Sequence, residues 1–293
     1  MHKTSEWLQT FSTDQFAHTE KSFLKDPFHH CQKISITGGK GGVGKTSIAL
    51  KTAQELSQAG YKTLLIDCDS NLSNTAIKLG LPIDNLKFEK LLSAEASFEE
   101  VILQHGNFHL LPACNGSMEI FETKLQFEQI IKDIIEAHES EYDFILLDCP
   151  AGISKEMLEL NAICDHRWIV VVPDKSSITD SYSLMKILAN KYGVQKNHLI
   201  VNMYQTEKQL ERVVTTLTET VKKFLQVDVE VLGGVKKAEI SADGFDTFFL
   251  SETKNETHKK FVKLLYTFTE KVGGPNALDS ARAGQMALEQ DVH

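Results

Sequence analysis

Apolar and polar positions along this chain alternate between two periods. Short apolar runs of strand length recur at Lys33 to Thr37, Thr63 to Asp67, Phe108 to Leu111, Phe144 to Asp148, Trp168 to Val172 and Leu199 to Asn202, with a weaker run at Val227 to Leu232. Between them apolar residues return every three to four positions, which predicts helices over roughly 45–59, 71–79, 123–139, 155–164, 177–192 and 206–225. Parallel neighbours need a crossover, and a helix in each crossover covers both faces of the sheet. The order therefore predicts an α/β fold, a doubly wound and mostly parallel sheet, with ligands gathered at the carboxyl ends of the strands. Residues 1–30 break the rhythm, with Trp7, Phe11, Phe16, Phe23 and Phe28 scattered among polar residues. They form an N-terminal extension to one domain over 31–272, and a tail follows over 273–293.

Composition narrows the setting. Of 293 residues, 42% are hydrophobic and 24% charged, which is ordinary for a globular chain. Lys and Arg number 31 against 40 Asp and Glu, and the net charge of −9 argues against a surface built to ride nonspecific DNA. Five cysteines, Cys31, Cys68, Cys114, Cys149 and Cys164, are odd in number and contain no C-x-x-C pair, so neither a disulfide framework nor a zinc ribbon is legible. No apolar run is long enough to span a bilayer, and the first ten residues lack the pattern of a signal peptide. A cytoplasmic protein is expected.

The strand ending at Thr37 runs into Gly38-Gly39-Lys40-Gly41-Gly42-Val43-Gly44-Lys45-Thr46, and Ser47 opens a helix. Gly39 to Thr46 satisfies G-x-x-x-x-G-K-[ST] in the strand, loop, helix setting that this phosphate-binding pattern requires. Glycines free backbone N–H groups to wrap a phosphate chain, and the helix start adds a favourable dipole. Gly39, Gly41, Gly42, Val43, Gly44 and Ser47 form this cradle. Lys45 is expected on the β- and γ-phosphates, and the Thr46 hydroxyl on Mg²⁺.

Two further strands end in acids. Leu64-Leu65-Ile66-Asp67-Cys68-Asp69 carries a D-x-D, and Phe144-Ile145-Leu146-Leu147-Asp148 is followed by Cys149-Pro150-Ala151-Gly152. Acids at strand ends point toward the face where the phosphates would lie. Asp148 is the expected metal residue, and Gly152 is placed to turn its N–H toward a terminal phosphate.

Lys40, five residues before Lys45, makes the loop similar to the deviant K-G-G-x-G-K-[ST] of the MinD/ParA class of dimeric ATPases. That resemblance implies ATP and Mg²⁺ as ligands and a homodimer when ATP is bound, with Lys40 reaching the partner's nucleotide. It also implies that Asp69 orients the attacking water, that Asp67 lies near the metal, that Asn74 sits at the nucleotide and dimer interface, and that Asn202 pairs with adenine. The second base-contact segment of the class commonly reads G-x-I-P, and Leu232-Gly233-Gly234-Val235-Lys236 here lacks the proline. Within the class, Pro173-Asp174-Lys175-Ser176-Ser177-Ile178-Thr179-Asp180-Ser181-Tyr182-Ser183-Leu184-Met185-Lys186 and then Val201-Asn202-Met203 resemble the FlhG (FleN) proteins, which control flagellar number and placement. Partners implied are an FlhF-like GTPase and flagellar export or transcription components. Asp14-Gln15 keeps only part of the activating D-Q-A-x-x-L-R element of those proteins.

The resemblance leaves three modes of action open: a slow ATP hydrolase whose dimer lifetime is the output, an adaptor with negligible turnover that sequesters a transcription activator or export component, or a DNA or cargo positioning ATPase. Near the end of the domain, Phe261, Leu264, Leu265, Phe268 and Val272 share one face of a helix with lysines elsewhere. Such a face either covers the sheet or touches anionic membrane at the inner side of the cell membrane.

Overall fold

The computed structural model describes residues 30–69, 75–79, 88–92, 95–112, 127–240, 242–251 and 255–272. The segments 1–29 and 273–293, with Asn74 and Cys114, lie outside the described residues. Eight strands follow in chain order: β1 (Gln32–Thr37), β2 (Thr63–Asp67), β3 (Leu103–His105), β4 (Phe108–Leu111), β5 (Phe144–Asp148), β6 (His166–Val171), β7 (Lys196–Tyr204) and β8 (Asp228–Lys236). They form one sheet in the order β3-β4-β2-β5-β1-β6-β7-β8, parallel throughout except for the antiparallel pair β3 and β4. The strand order reverses beside β1, so the loop after β1 opens at the switch point where such sheets bind ligands.

Helices cover both faces, as the alternation predicts. On one side lie α1 (Lys45–Gln58), α9 (Ala242–Leu250) and α10 (Glu256–Val272), packed with Ile34, Ile36, Leu65, Leu146 and Trp168. On the other lie α5 (Phe127–His138), α6 (Lys155–Ile163), α7 (Lys175–Tyr192) and α8 (Glu207–Leu225), packed with Leu64, Ile66, Ile145, Leu147 and Ile169. Short helices α2 (Thr75–Lys78), α3 (Phe88–Leu92) and α4 (Phe98–Val101) lie between β2 and β3. Local chemistry sets the long helices: the Asp174 carboxylate accepts from the Ser177 N–H at 2.9 Å to start α7, and Gly193 ends it at φ 70°.

Three strands, Thr63–Asp67, Phe108–Leu111 and Phe144–Asp148, keep the bounds that periodicity predicts. β3 was not among the predicted runs, because its three residues are too few to show a period. Its signal is the Gly106-Asn107 dipeptide before β4, with Gly106 at φ 56° in a tight antiparallel turn. β8 extends beyond the weak run predicted, to Lys236, through a register shift opposite Leu199 and Ile200. The apolar face of α10 packs into the core: Phe261, Leu264, Leu265 and Phe268 are buried, each burial contributing about 1.5–3 kcal/mol, while Lys260, Lys263 and Lys271 face outward. In this arrangement that face is not available to a bilayer. Among the described residues no helix is long and apolar enough to cross a membrane.

Candidate functional site

The parallel register carries the acids to one place. Asp67 pairs with Asp148 across β2 and β5, and Ile36 pairs with Asp148 across β1 and β5, so both carboxylates stand beside the loop that leaves β1. The loop turns through Gly42 at φ 76° and Gly44 at φ 93°, conformations in which an L side chain is strained. A Cβ added at Gly41 or Gly42 would meet nothing within 4 Å, so the backbone there faces open space. Gly39 is different: its added Cβ would lie 2.3 Å from the Asp180 carbonyl carbon, so α7 presses directly on the loop. That contact gives the Ser177 to Lys186 segment a structural meaning, since its first turns form one wall of the phosphate loop.

Lys45 is buried at the start of α1, with Nζ 3.5 Å from the Lys40 carbonyl. Burial lowers its pKa, and the charges of Asp148 and Asp69 oppose the shift. Asp148 is 5% exposed, and burial together with the neighbouring Asp67 pushes its carboxyl up to about 7 against a hydrogen bond from Thr46 and the charge of Lys45. Its Oδ1 is buried without a hydrogen-bond partner. An unpaired carboxylate oxygen beside a threonine hydroxyl and a second acid suits Mg²⁺ or its bound water, so Thr46, Asp67 and Asp148 fit the metal expected of them. Asp67 Oδ1 accepts the Asp69 N–H at 3.1 Å, which holds half-buried Asp69 at the mouth. Gly152, at φ 112°, has its N–H 3.4 Å from the Gly38 carbonyl, next to the cradle.

Three predicted residues make contacts that the sequence did not reveal. Lys40 Nζ lies 3.3 Å from both oxygens of Asp174 and 2.7 Å from the Ser176 hydroxyl, within its own chain. Asn202 sits behind the loop, where its Nδ2 donates to the Val43 carbonyl at 2.8 Å and its Oδ1 accepts from the Met203 N–H at 2.9 Å. With both ends of the amide engaged and 1% exposed, Asn202 braces the loop. The Ser47 hydroxyl donates to Asp246 on α9 at 2.5 Å. Asp174 carried a sequence signal as a helix cap, whereas Asp246 had none, being 199 residues from Ser47.

Comparison with known proteins agrees with this geometry. A family model described as an AAA domain matches residues 31–197, more than half of the chain. The antiactivator FleN of Pseudomonas aeruginosa is 27% identical over 70% of this chain and 73% of its own length. The septum site-determining protein MinD of Thermotoga maritima is 28% identical over 67% of this chain and 72% of its own. Among solved structures, MinD of Pyrococcus horikoshii complexed with Mg-ADP superposes with a TM-score of 0.67 at 22% identity, over 83% of this chain and 98% of that one.

Proposed function

Because the chain belongs to the AAA-domain family, and within it to the MinD/ParA class of P-loop ATPases, we propose that it is a Mg²⁺-dependent ATP hydrolase working as an ATP-driven dimerisation switch. The observation that carries this is the convergence of Lys45, Thr46, Asp67 and Asp148 on an open glycine loop, with one buried Asp148 oxygen still unpaired. Lys45 and the loop N–H groups hold the β- and γ-phosphates, and Thr46, Asp67 and Asp148 hold the metal, which supplies charge neutralisation when bound. Asp69 orients the water. Lys40 leaves Asp174 to meet the nucleotide of a second copy, so the dimer forms only when a γ-phosphate is there to bridge. Turnover is slow without a partner, as a timer requires a long-lived bound state.

The similarity to FleN, together with the Ser177 to Lys186 segment that walls the loop, supports a role in flagellar number or placement, through flagellar export or transcription components or an FlhF-like GTPase. Adaptor action without turnover is the competing outcome. Phosphate release from Mg-ATP by the purified chain decides between them, with Asp148→Asn as the control: release above that control supports hydrolysis, and equal rates reject it. Sedimentation in ATP and in ADP tests the switch, with a dimer expected in ATP alone.

A further inference from the structure

Three residues far apart in the chain meet beside the first turn of α1. Ser47 Oγ donates to Asp246 Oδ1 at 2.5 Å, Lys78 Nζ donates to Ser47 Oγ at 3.1 Å, and the same ammonium pairs with Asp246 Oδ2. Each comes from a different part of the machine. Ser47 follows the metal residue Thr46 in the phosphate loop, Lys78 ends α2 a few residues past Asp69, and Asp246 lies on α9 between the β8 strand and α10. All three are shielded, with Lys78 and Asp246 side chains 23% and 22% exposed, so the charge pair is screened less than a surface pair.

We infer that Asp246 is a positioning residue through which the occupancy of the phosphate loop is passed to α9. Resting on the proposed nucleotide site, the inference follows from counting protons. A serine hydroxyl has one proton to donate. It now goes to Asp246. A phosphate chain arriving at the first turn of α1 offers a second anionic acceptor to the same O–H, and the two acceptors compete. When Ser47 turns to phosphate, Asp246 keeps only Lys78, and the bond from α9 to the loop is lost. Lys78 meanwhile ends α2, so Asp246 is the joint at which loop occupancy and the position of α2 meet. α9 packs along α1 through Phe249, and its Phe249 ring lies 5.4 Å from the Phe261 ring of α10.

Amide hydrogen exchange on the full chain tests this, with Mg-ADP as the probe and α10 as internal reference. In the wild type, Mg-ADP is expected to change exchange in residues 242–250 by fivefold or more relative to α10. Asp246→Asn keeps the shape and an acceptor but weakens the pair with Lys78, and Asp246→Ala removes both bonds. The expected result is that Asp246→Ala binds Mg-ADP within fivefold of the wild type while its α9 exchange no longer responds, with Asp246→Asn intermediate. Lys78→Met should reduce the response without abolishing it. A wild-type α9 that ignores bound Mg-ADP, or an Asp246→Ala α9 that responds in full, would overturn the inference. Absence of any Mg-ADP binding by the wild type would instead reject the nucleotide site itself, and calorimetric titration separates the two.

Discussion

Lys40 and Asp174 form an ion pair within one chain, with Nζ 3.3 Å from each carboxylate oxygen, and this is where the signature lysine of the loop rests in the single protomer. The Ser177 N–H and the Ser176 hydroxyl, with Lys40 adding to them, hold the Asp174 carboxyl down at about 2, so the carboxylate is charged at any physiological pH. Both side chains are 42% exposed, and such pairs are worth about 0.2–1 kcal/mol. Freeing the lysine is therefore cheap. Asp174→Asn retains a good helix cap while removing the charge. Two such pairs open when two protomers join, so the ATP-bound dimer should tighten by up to about thirtyfold, the equivalent of about 2 kcal/mol, as measured by sedimentation equilibrium. An unchanged dissociation constant would show that the pair does not hold Lys40 back.

Asp69 is tethered through its backbone to Asp67 and lies close enough to Lys45 and Asp148 to act on both electrostatically. Asp69→Ala removes the carboxylate without touching the loop. ATP binding should persist, hydrolysis should fall by about 100-fold or more, the scale of a lost general base, and dimers should accumulate. If size-exclusion in ATP shows that variant only as a monomer, the ATP-driven dimer is wrong.

Gly44 is required twice over. Its φ of 93° is unfavourable for any side chain, and an added Cβ would stand 2.3 Å from Asn202 Nδ2, the group that braces Val43. Strain of this kind costs about 1–3 kcal/mol, and a displaced Asn202 would release the loop as well. Gly44→Ala is expected to lose Mg-ATP binding at least tenfold while the far-ultraviolet circular dichroism stays that of the wild type. Asn202→Ala should weaken binding by a smaller factor. If Asn202→Ala binds GTP and ATP equally while the wild type prefers ATP, then Asn202 reads the base.

How far the chain was legible follows from what each feature depends on. The loop from Gly39 to Thr46 and the strands ending at Asp67 and Asp148 are local, and spacing alone exposes them. The core strands are likewise local, since burial on both faces makes them continuously apolar. Asn202, Asp174 and Asp246 act through contacts 159, 134 and 199 residues away in sequence, and no period encodes a partner at such distance. The helix α9 was missed for a related reason: Gly244 interrupts Ala-Asp-Gly-Phe-Asp-Thr-Phe-Phe-Leu, so its local propensity is poor and packing against α1 and α10 sets it.

At the opposite end of the sheet from the phosphate loop, two histidines give the domain a dependence on acid. Gln32 turns its Nε2 to the His30 carbonyl, so its Oε1 accepts from His166 Nε2 at 3.0 Å. His166 Nδ1 must then accept from His198 Nε2, 3.2 Å away, and His198 Nδ1 is left as a buried lone pair with no hydrogen bond. Both rings sit against Phe268, with centroids 4.9 and 5.5 Å apart, beside a cavity of about 190 Å³. Burial lowers His166 to about 4 and His198 to about 3, while the Lys196 and Lys271 ammonium groups hold Glu230 at about 2. The unfolded chain takes up these protons near 6.5 for histidine and 4.5 for glutamate, so between those values and the native ones it binds more protons than the native state. The stabilisation is complete above pH 6.5 and is lost as the pH falls, first through the histidines toward 4 and 3 and then through Glu230 toward 2. Asp148, shifted the other way, contributes the same slope to any variant at this end and cancels in a comparison. His166→Gln should therefore lose less urea stability between pH 7.5 and pH 5 than the wild type does, whatever its stability at pH 7.5. Parallel losses in the two chains would show that His166 titrates normally in the native protein.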